Sequence, residues 1–144
     1  TTAPHIYAMG DVRGGLQFTY ISLDDFRIVK SKVLGDGSYT LKERGAVPYS
    51  VFLIPPFSRV GLSEKEAVEK GYKVKVARLA GLLKAVIDEE TGLILGAHLF
   101  CQESYEMINM IKLAMDAKVP YQVLGDTIYT HPTMSEAFND LFAV

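Results

Sequence analysis

Near the C-terminus, Tyr129-Thr130-His131-Pro132-Thr133-Met134-Ser135-Glu136 places an imidazole five residues before a carboxylate. Imidazole titrates near neutral pH, so His131 is suited to moving a proton. If a helix begins at Thr133, one turn bridges His131 and Glu136. A carboxylate on one ring nitrogen would fix the tautomer and favour the imidazolium, leaving the other nitrogen for a substrate or a thiol. Pro132 restricts the backbone beside His131 and could form a cis bond that sets the ring direction. A plainer reading fits the same residues. Thr133-Met134-Ser135-Glu136 is a capping-box pattern, in which Glu136 would serve only its own helix. Residue types and spacing leave both readings open.

Other candidates carry less. Gly10-Asp11 follows the apolar run His5-Ile6-Tyr7-Ala8-Met9 and reads as a strand ending at a turn, with Asp11 either a turn residue or a ligand carboxylate. Gly14-Gly15 adds glycines that permit close backbone approach. Cys101 is the only cysteine, which excludes an internal disulfide, a two-cysteine redox pair and a cysteine-rich zinc site. It reads as a buried, inert thiol. His5 and His98 stand apart from His131 without metal-ligand spacing, so no metal site is expected. No glycine-rich fingerprint of the dinucleotide or phosphate-loop type is present.

Composition narrows the classes. The 144 residues carry a formal net charge of -2 and no basic patch, which argues against nucleic-acid binding. No signal peptide and no apolar run of membrane-spanning length is visible, and a lone cysteine suits a reducing, cytoplasmic setting. Thr1-Thr2-Ala3-Pro4 lacks an initiator Met, so the chain could be a natural fragment or an excerpt made for expression.

The elements that must position these groups fall into two stretches with a boundary near Gly45. Residues 1–45 read as strand, turn, helix and linker. The helix spans Gln17 to Leu34, with Asp24 and Asp25 early and Lys30 and Lys32 late, as the helix dipole prefers. Residues 46–144 open with a strand from Val47 to Ile54, stopped by Pro55-Pro56; Phe57 to Leu62 reads as a connection. Ser63 and Glu66 frame a capping box, and its helix stops at Gly71. Alternation from Val74 predicts a half-buried strand. Leu82–Ile87 and Leu93–Phe100 then pair through a turn at Asp88–Gly92. Ser104 to Ala117 reads as a helix with a wide apolar sector, packing either on its own core alone or on a second subunit as well. A short turn at Tyr121–Leu124 and a last helix from Met134 to Phe142 complete the chain. The fold class is α+β, an antiparallel sheet flanked by helices.

Together these blocks resemble the C-terminal part of the FAD-dependent pyridine nucleotide-disulfide oxidoreductases, the family of glutathione reductase and dihydrolipoamide dehydrogenase. Thr2 to Asp11 is similar to the second FAD-binding motif. Val51 to Gly71 is similar to the opening of the dimerisation domain, and Thr91-Gly92 with Ile94-Leu95-Gly96-Ala97-His98 to its hairpin. His131 to Glu136 is similar to the terminal catalytic signature. The resemblance implies that 1–45 is the end of an FAD-binding domain and 46–144 a dimerisation domain. Gly10 and Asp11 would bind cofactor, with Asp11 holding the ribityl chain of FAD. His131 would be the acid/base for the partner subunit's disulfide and flavin, Glu136 its orienting carboxylate, and Pro132 and Thr133 structural at the site, with the His-Pro bond cis. FAD and NAD(P)H would be cofactors of a full-length homodimeric parent, and the isolated chain would bind neither tightly.

The first FAD fingerprint, the redox cysteine pair and the nicotinamide domain have no counterpart in the chain. The expected function is therefore that of a fragment, inactive alone, that supplies dimer contacts and the His131–Glu136 pair. The competing expectation is a non-catalytic, free-standing dimerisation or binding module. Relatives are expected to be longer between Arg78 and Leu82, where Leu79-Ala80-Gly81 passes almost directly.

Overall fold

A computed structural model describes residues 1–80 and 82–144. The chain separates into two compact units, Thr1–Gly45 and Ala46–Val144.

The first unit holds a 3₁₀ turn at Gly10–Arg13 and helix α1 at Thr19–Leu34. The expected strand at His5–Met9 does not form. Met9 has extended backbone (φ -143°, ψ 156°), but no strand of this unit lies beside it. An extended segment becomes a strand only when a ladder takes up its N–H and C=O groups. Asp24 and Asp25 do not serve the helix dipole either, since the first turn of α1 carries no acid; both are held in ion pairs.

The second unit is built on a five-stranded antiparallel sheet: β1 Tyr49–Val51, β2 Phe57–Gly61, β3 Val74–Leu79, β4 Leu83–Asp88 and β5 Ile94–Phe100, in the order β1-β2-β5-β4-β3. Capped by the Ser63–Glu66 box, α2 (Glu64–Glu69) precedes β3. Helices α3 (Ser104–Asp116), α4 (Tyr121–Asp126) and α5 (Ala137–Leu141) follow the last strand. α3 packs on β2 and β5, and α5 on β3 and β4. Val60, Ala85, Ile87, Ala97, Leu99, Met107, Ile108, Ile111 and Phe138 make the centre of the core. Gly81, in the passage between β3 and β4, lies outside the described residues.

One correction changes the sheet. The strand expected over Val47–Ile54 shrinks to Tyr49–Val51, and the expected connection is β2, which pairs with β5 from Phe57↔Phe100 to Gly61↔Gly96. The inward position on β2 beside Val60 is taken by Ser58, which is fully buried and hides the apolar alternation. Its hydroxyl lies 2.7 Å from Ser50 Oγ and 2.9 Å from Ser104 Oγ, and Ser104 donates to Pro56 C=O at 2.9 Å. Ser104→Ala should therefore cost about 1–3 kcal/mol, the penalty for orphaning buried hydrogen-bonding groups. Urea unfolding with a lowered midpoint and unchanged slope would display it; an unchanged midpoint would refute the stitch.

Gly96 shows why the hairpin motif needs glycine. A Cβ there would stand 2.0 Å from Leu62 O, inside any permitted contact.

α3 spends its apolar sector mostly on its own sheet, burying Met107, Ile108, Ile111 and Ala114. Leu113 and Tyr105 stay exposed on its outer side.

Candidate active site

His131 is placed by the packing behind it. Phe138 of α5 is fully buried and meets Tyr129 edge-on, with ring centroids 5.9 Å apart. Tyr129 in turn donates its hydroxyl to Leu124 C=O at 2.8 Å. Asn139 donates to Gly125 C=O at 2.6 Å and Thr127 C=O at 3.0 Å, tying α5 to the end of α4. The segment that carries His131 is thus held at both ends. Its first residues were visible in sequence; Asn139 was not, since a polar residue on a short terminal helix carries no signal of its partners.

The His131–Pro132 bond is cis, and Met134–Glu136 forms a 3₁₀ turn that leads into α5. His131 Nδ1 lies 3.0 and 3.2 Å from the two oxygens of Glu136. Glu136 Oε2 also accepts the Thr133 N–H at 3.0 Å. The dyad and the cap are therefore not alternatives: one carboxylate serves both. The Thr133 hydroxyl donates to Thr130 C=O at 2.7 Å and closes the turn. The His131 side chain is 82% exposed, and among the described residues nothing receives its other ring nitrogen, Nε2.

The Thr133 amide and then the His131 ring hold the Glu136 carboxyl below the usual glutamate range. A carboxyl whose folded pKa is depressed contributes stability above its unfolded value, about 4.3, and loses it as pH falls through the lower folded value. The protection of the Thr133 amide, the exchange rate of an unstructured amide at the same pH divided by its own, should therefore fall in acid below about pH 4.3. Glu136→Gln should remove that acid step; a step that survives in the variant would assign it to another group.

The remaining histidines and the cysteine have other surroundings. His98 faces Arg59 and Lys84 across the strands, and burial, then those two charges, push its imidazole pKa down. Cys101 is buried, with Sγ 3.8 Å from Met107 Sδ, and burial pushes its thiol up, away from reactivity. No three His, Cys, Asp or Glu side chains gather as metal ligands among the described residues. No described helix is long and apolar enough to cross a membrane.

In the first unit, Gly10 (φ 73°) opens the 3₁₀ turn. The Asp11 carboxylate on that turn is exposed and makes no hydrogen bond or ion pair with a described residue. Arg44, near the end of the first unit, forms ion pairs with both Asp24 and Asp25.

An antiparallel five-stranded sheet, with helices on it and a terminal His–Glu pair, defines a class. The profile of the family described as "Pyridine nucleotide-disulphide oxidoreductase, dimerisation domain" matches residues 47–142, and the chain belongs to that family. It is 51% identical over 158 residues to the probable pyridine nucleotide-disulfide oxidoreductase RclA of Escherichia coli (strain K12), covering 100% of this chain and 36% of that protein. It is 34% identical over 154 residues to the dihydrolipoyl dehydrogenase of Chlorobaculum tepidum, covering 97% of this chain and 33% of that protein. The solved structure of HOCl-induced flavoprotein disulfide reductase RclA from Escherichia coli superposes with a TM-score of 0.93 at 51% identity, over 99% of this chain and 36% of that one. The chain thus spans about a third of the length of these curated relatives. The RclA alignment needs 158 residues to span 144, so the relative is longer within the matched region.

Proposed function

We propose that the chain is the C-terminal part of a flavin-dependent NAD(P)H:disulfide, or related acceptor, oxidoreductase that works as a cytoplasmic homodimer. The supporting observation is the presentation of His131. Its Nδ1 is taken by Glu136, while the ring is 82% exposed and Nε2 meets nothing in its own chain among the described residues. A proton-transfer group turned outward in this way is suited to a site on another polypeptide. Thiol–disulfide exchange releases and takes up protons at sulfur, and an imidazole held in one tautomer delivers them. Glu136 orients the ring through Nδ1.

Residues 1–45 are read as the end of the FAD-binding domain and 46–144 as the dimerisation domain. Gly10 and Asp11 would hold the ribityl chain. Bound FAD would supply the two-electron relay between nicotinamide and disulfide. The outward Leu113 and Tyr105 of α3 fit a contact with a second subunit.

The test uses two samples. The full-length protein should purify with flavin and oxidise NAD(P)H when a disulfide acceptor is present. The 144-residue chain alone should show no turnover with added FAD. Turnover by the isolated chain, or a full-length protein with no flavin and no NAD(P)H oxidation, would overturn the proposal.

A further inference from the structure

The turn that presents Asp11 is closed by only one backbone bond of its own, Gly14 N–H to Asp11 C=O at 3.0 Å. None of Gly10–Arg13 is buried, and Met9 before it provides no side-chain cap. The hold comes from Asp25 of α1, which is only 3% exposed. Its Oδ2 accepts the Gly10 N–H at 2.9 Å and Arg13 Nε at 3.1 Å, so one oxygen grips both ends of the turn. Its Oδ1 accepts from Arg44 Nη2, while Arg44 Nε donates to Asp24 Oδ2 at 2.6 Å. Tyr39 completes the cluster with its hydroxyl on Asp24 Oδ1 at 2.7 Å.

Burying a carboxylate is costly unless its oxygens are filled, and replacing such a group by an apolar one of similar shape is often neutral for stability. Stability alone therefore does not call for an aspartate here. Geometry does. Only a group with two acceptor oxygens meets a backbone amide and two guanidinium groups at once. Asparagine has the same shape, yet offers one acceptor oxygen, and its amide nitrogen would point at a donor.

We infer that Asp25 is a positioning residue for the flavin site: it fixes the Gly10–Arg13 turn so that the Asp11 carboxylate faces outward, without touching the cofactor itself. The inference rests on the proposed reading of Asp11 as the ribityl partner. Arg44 neutralises Asp25 and, lying next to Gly45 at the end of the first unit, ties the order of that linker to the order of the turn.

The experiment titrates FAD into flavin-stripped full-length protein and follows quenching of flavin fluorescence, for wild type, D11N, D25N and the double variant. D11N should weaken FAD binding about ten-fold or more, the loss of a hydrogen bond to a charged group. D25N should weaken it by about five-fold or more, and the double variant should match D11N within about two-fold, because both changes remove one interaction. Multiplying effects in the double variant would show that Asp25 acts elsewhere and overturn the inference. So would a D25N affinity equal to wild type when D11N is weakened. An unaffected D11N protein would instead sink the reading of Asp11, and the inference with it. If D25N does not fold, R13Q serves in its place, since the Arg13 side chain is 32% exposed and supplies one of the same contacts. It should weaken FAD by about two- to three-fold in wild type and not at all in D11N. An equal loss in both backgrounds would overturn the inference.

Discussion

On the proposed function, substituting glutamine for His131 in the full-length protein should lower disulfide turnover by about 10²–10⁴-fold, the usual worth of a positioned acid/base group. Flavin reduction by NAD(P)H, followed by stopped-flow absorbance, should stay close to wild type, because hydride delivery needs no proton from this ring. Glutamine fills similar space and can still accept a hydrogen bond, but it cannot carry a proton between groups. The split between the two half-reactions is what identifies the role. Damage to folding or to flavin binding would depress both. Turnover within about three-fold of wild type would leave His131 without a catalytic part. Glu136→Gln should act in the same half-reaction with a smaller effect, since the ring keeps its chemistry and loses only its orientation and the charge beside Nδ1. The exposure of His131 adds a further expectation. In the proposed homodimer, one H131Q subunit paired with one wild-type subunit should retain about half the activity, each site depending on one imidazole.

Truncating Phe138 to alanine should have the largest effect on stability. The side chain is fully buried and touches Tyr129 and Phe142, and removing a buried phenylalanine ring costs about 3–5 kcal/mol. A unit of this size loses about 4–8 °C in Tm per kcal/mol, so its thermal transition should drop by roughly 12 °C or more. The loss also reaches the site. Tyr129 packs on that ring and leads directly into His131, so the His131–Glu136 distance should loosen before the sheet melts. Amide exchange at Thr133 should rise earlier in temperature than exchange in β4 and β5. Phe138→Leu, which leaves a smaller cavity, should retain most of both properties. A Tm drop below a few degrees for the alanine variant would mean that the core closes over the gap and that Phe138 does not hold the motif.

Much of the second unit was legible from local chemistry. Ser63 and Glu66 with Gly71 bracket α2, and the apolar spacing of Met107, Ile108, Ile111 and Ala114 gives α3. In each case a short-range rule, capping or helical period, dictates the outcome. The failures share a different cause. β2 was hidden because Ser58 occupies an inward position, and a serine is tolerated there only because Ser50 and Ser104, distant in sequence, satisfy it. The strand expected at His5–Met9 failed in the opposite sense: its residues favour extension, but no ladder partner stands beside them in the first unit.

For the candidate site, sequence by itself determined the chemistry on offer: an imidazole, a carboxylate five residues on, a capping pattern between them and an Asp after Gly10. Spacing left open whether Glu136 orients His131 or only caps a helix. Tertiary structure brings both contacts to one carboxylate: its two oxygens lie 3.0 and 3.2 Å from His131 Nδ1, and Oε2 also accepts the Thr133 N–H. It also decided that Asp25 and Arg44, unremarkable in sequence, form the buried clamp behind Asp11. Residue types determine which atoms accept or donate protons. Only the folded backbone brings together groups 15 or 19 positions apart and removes the water that would otherwise separate them.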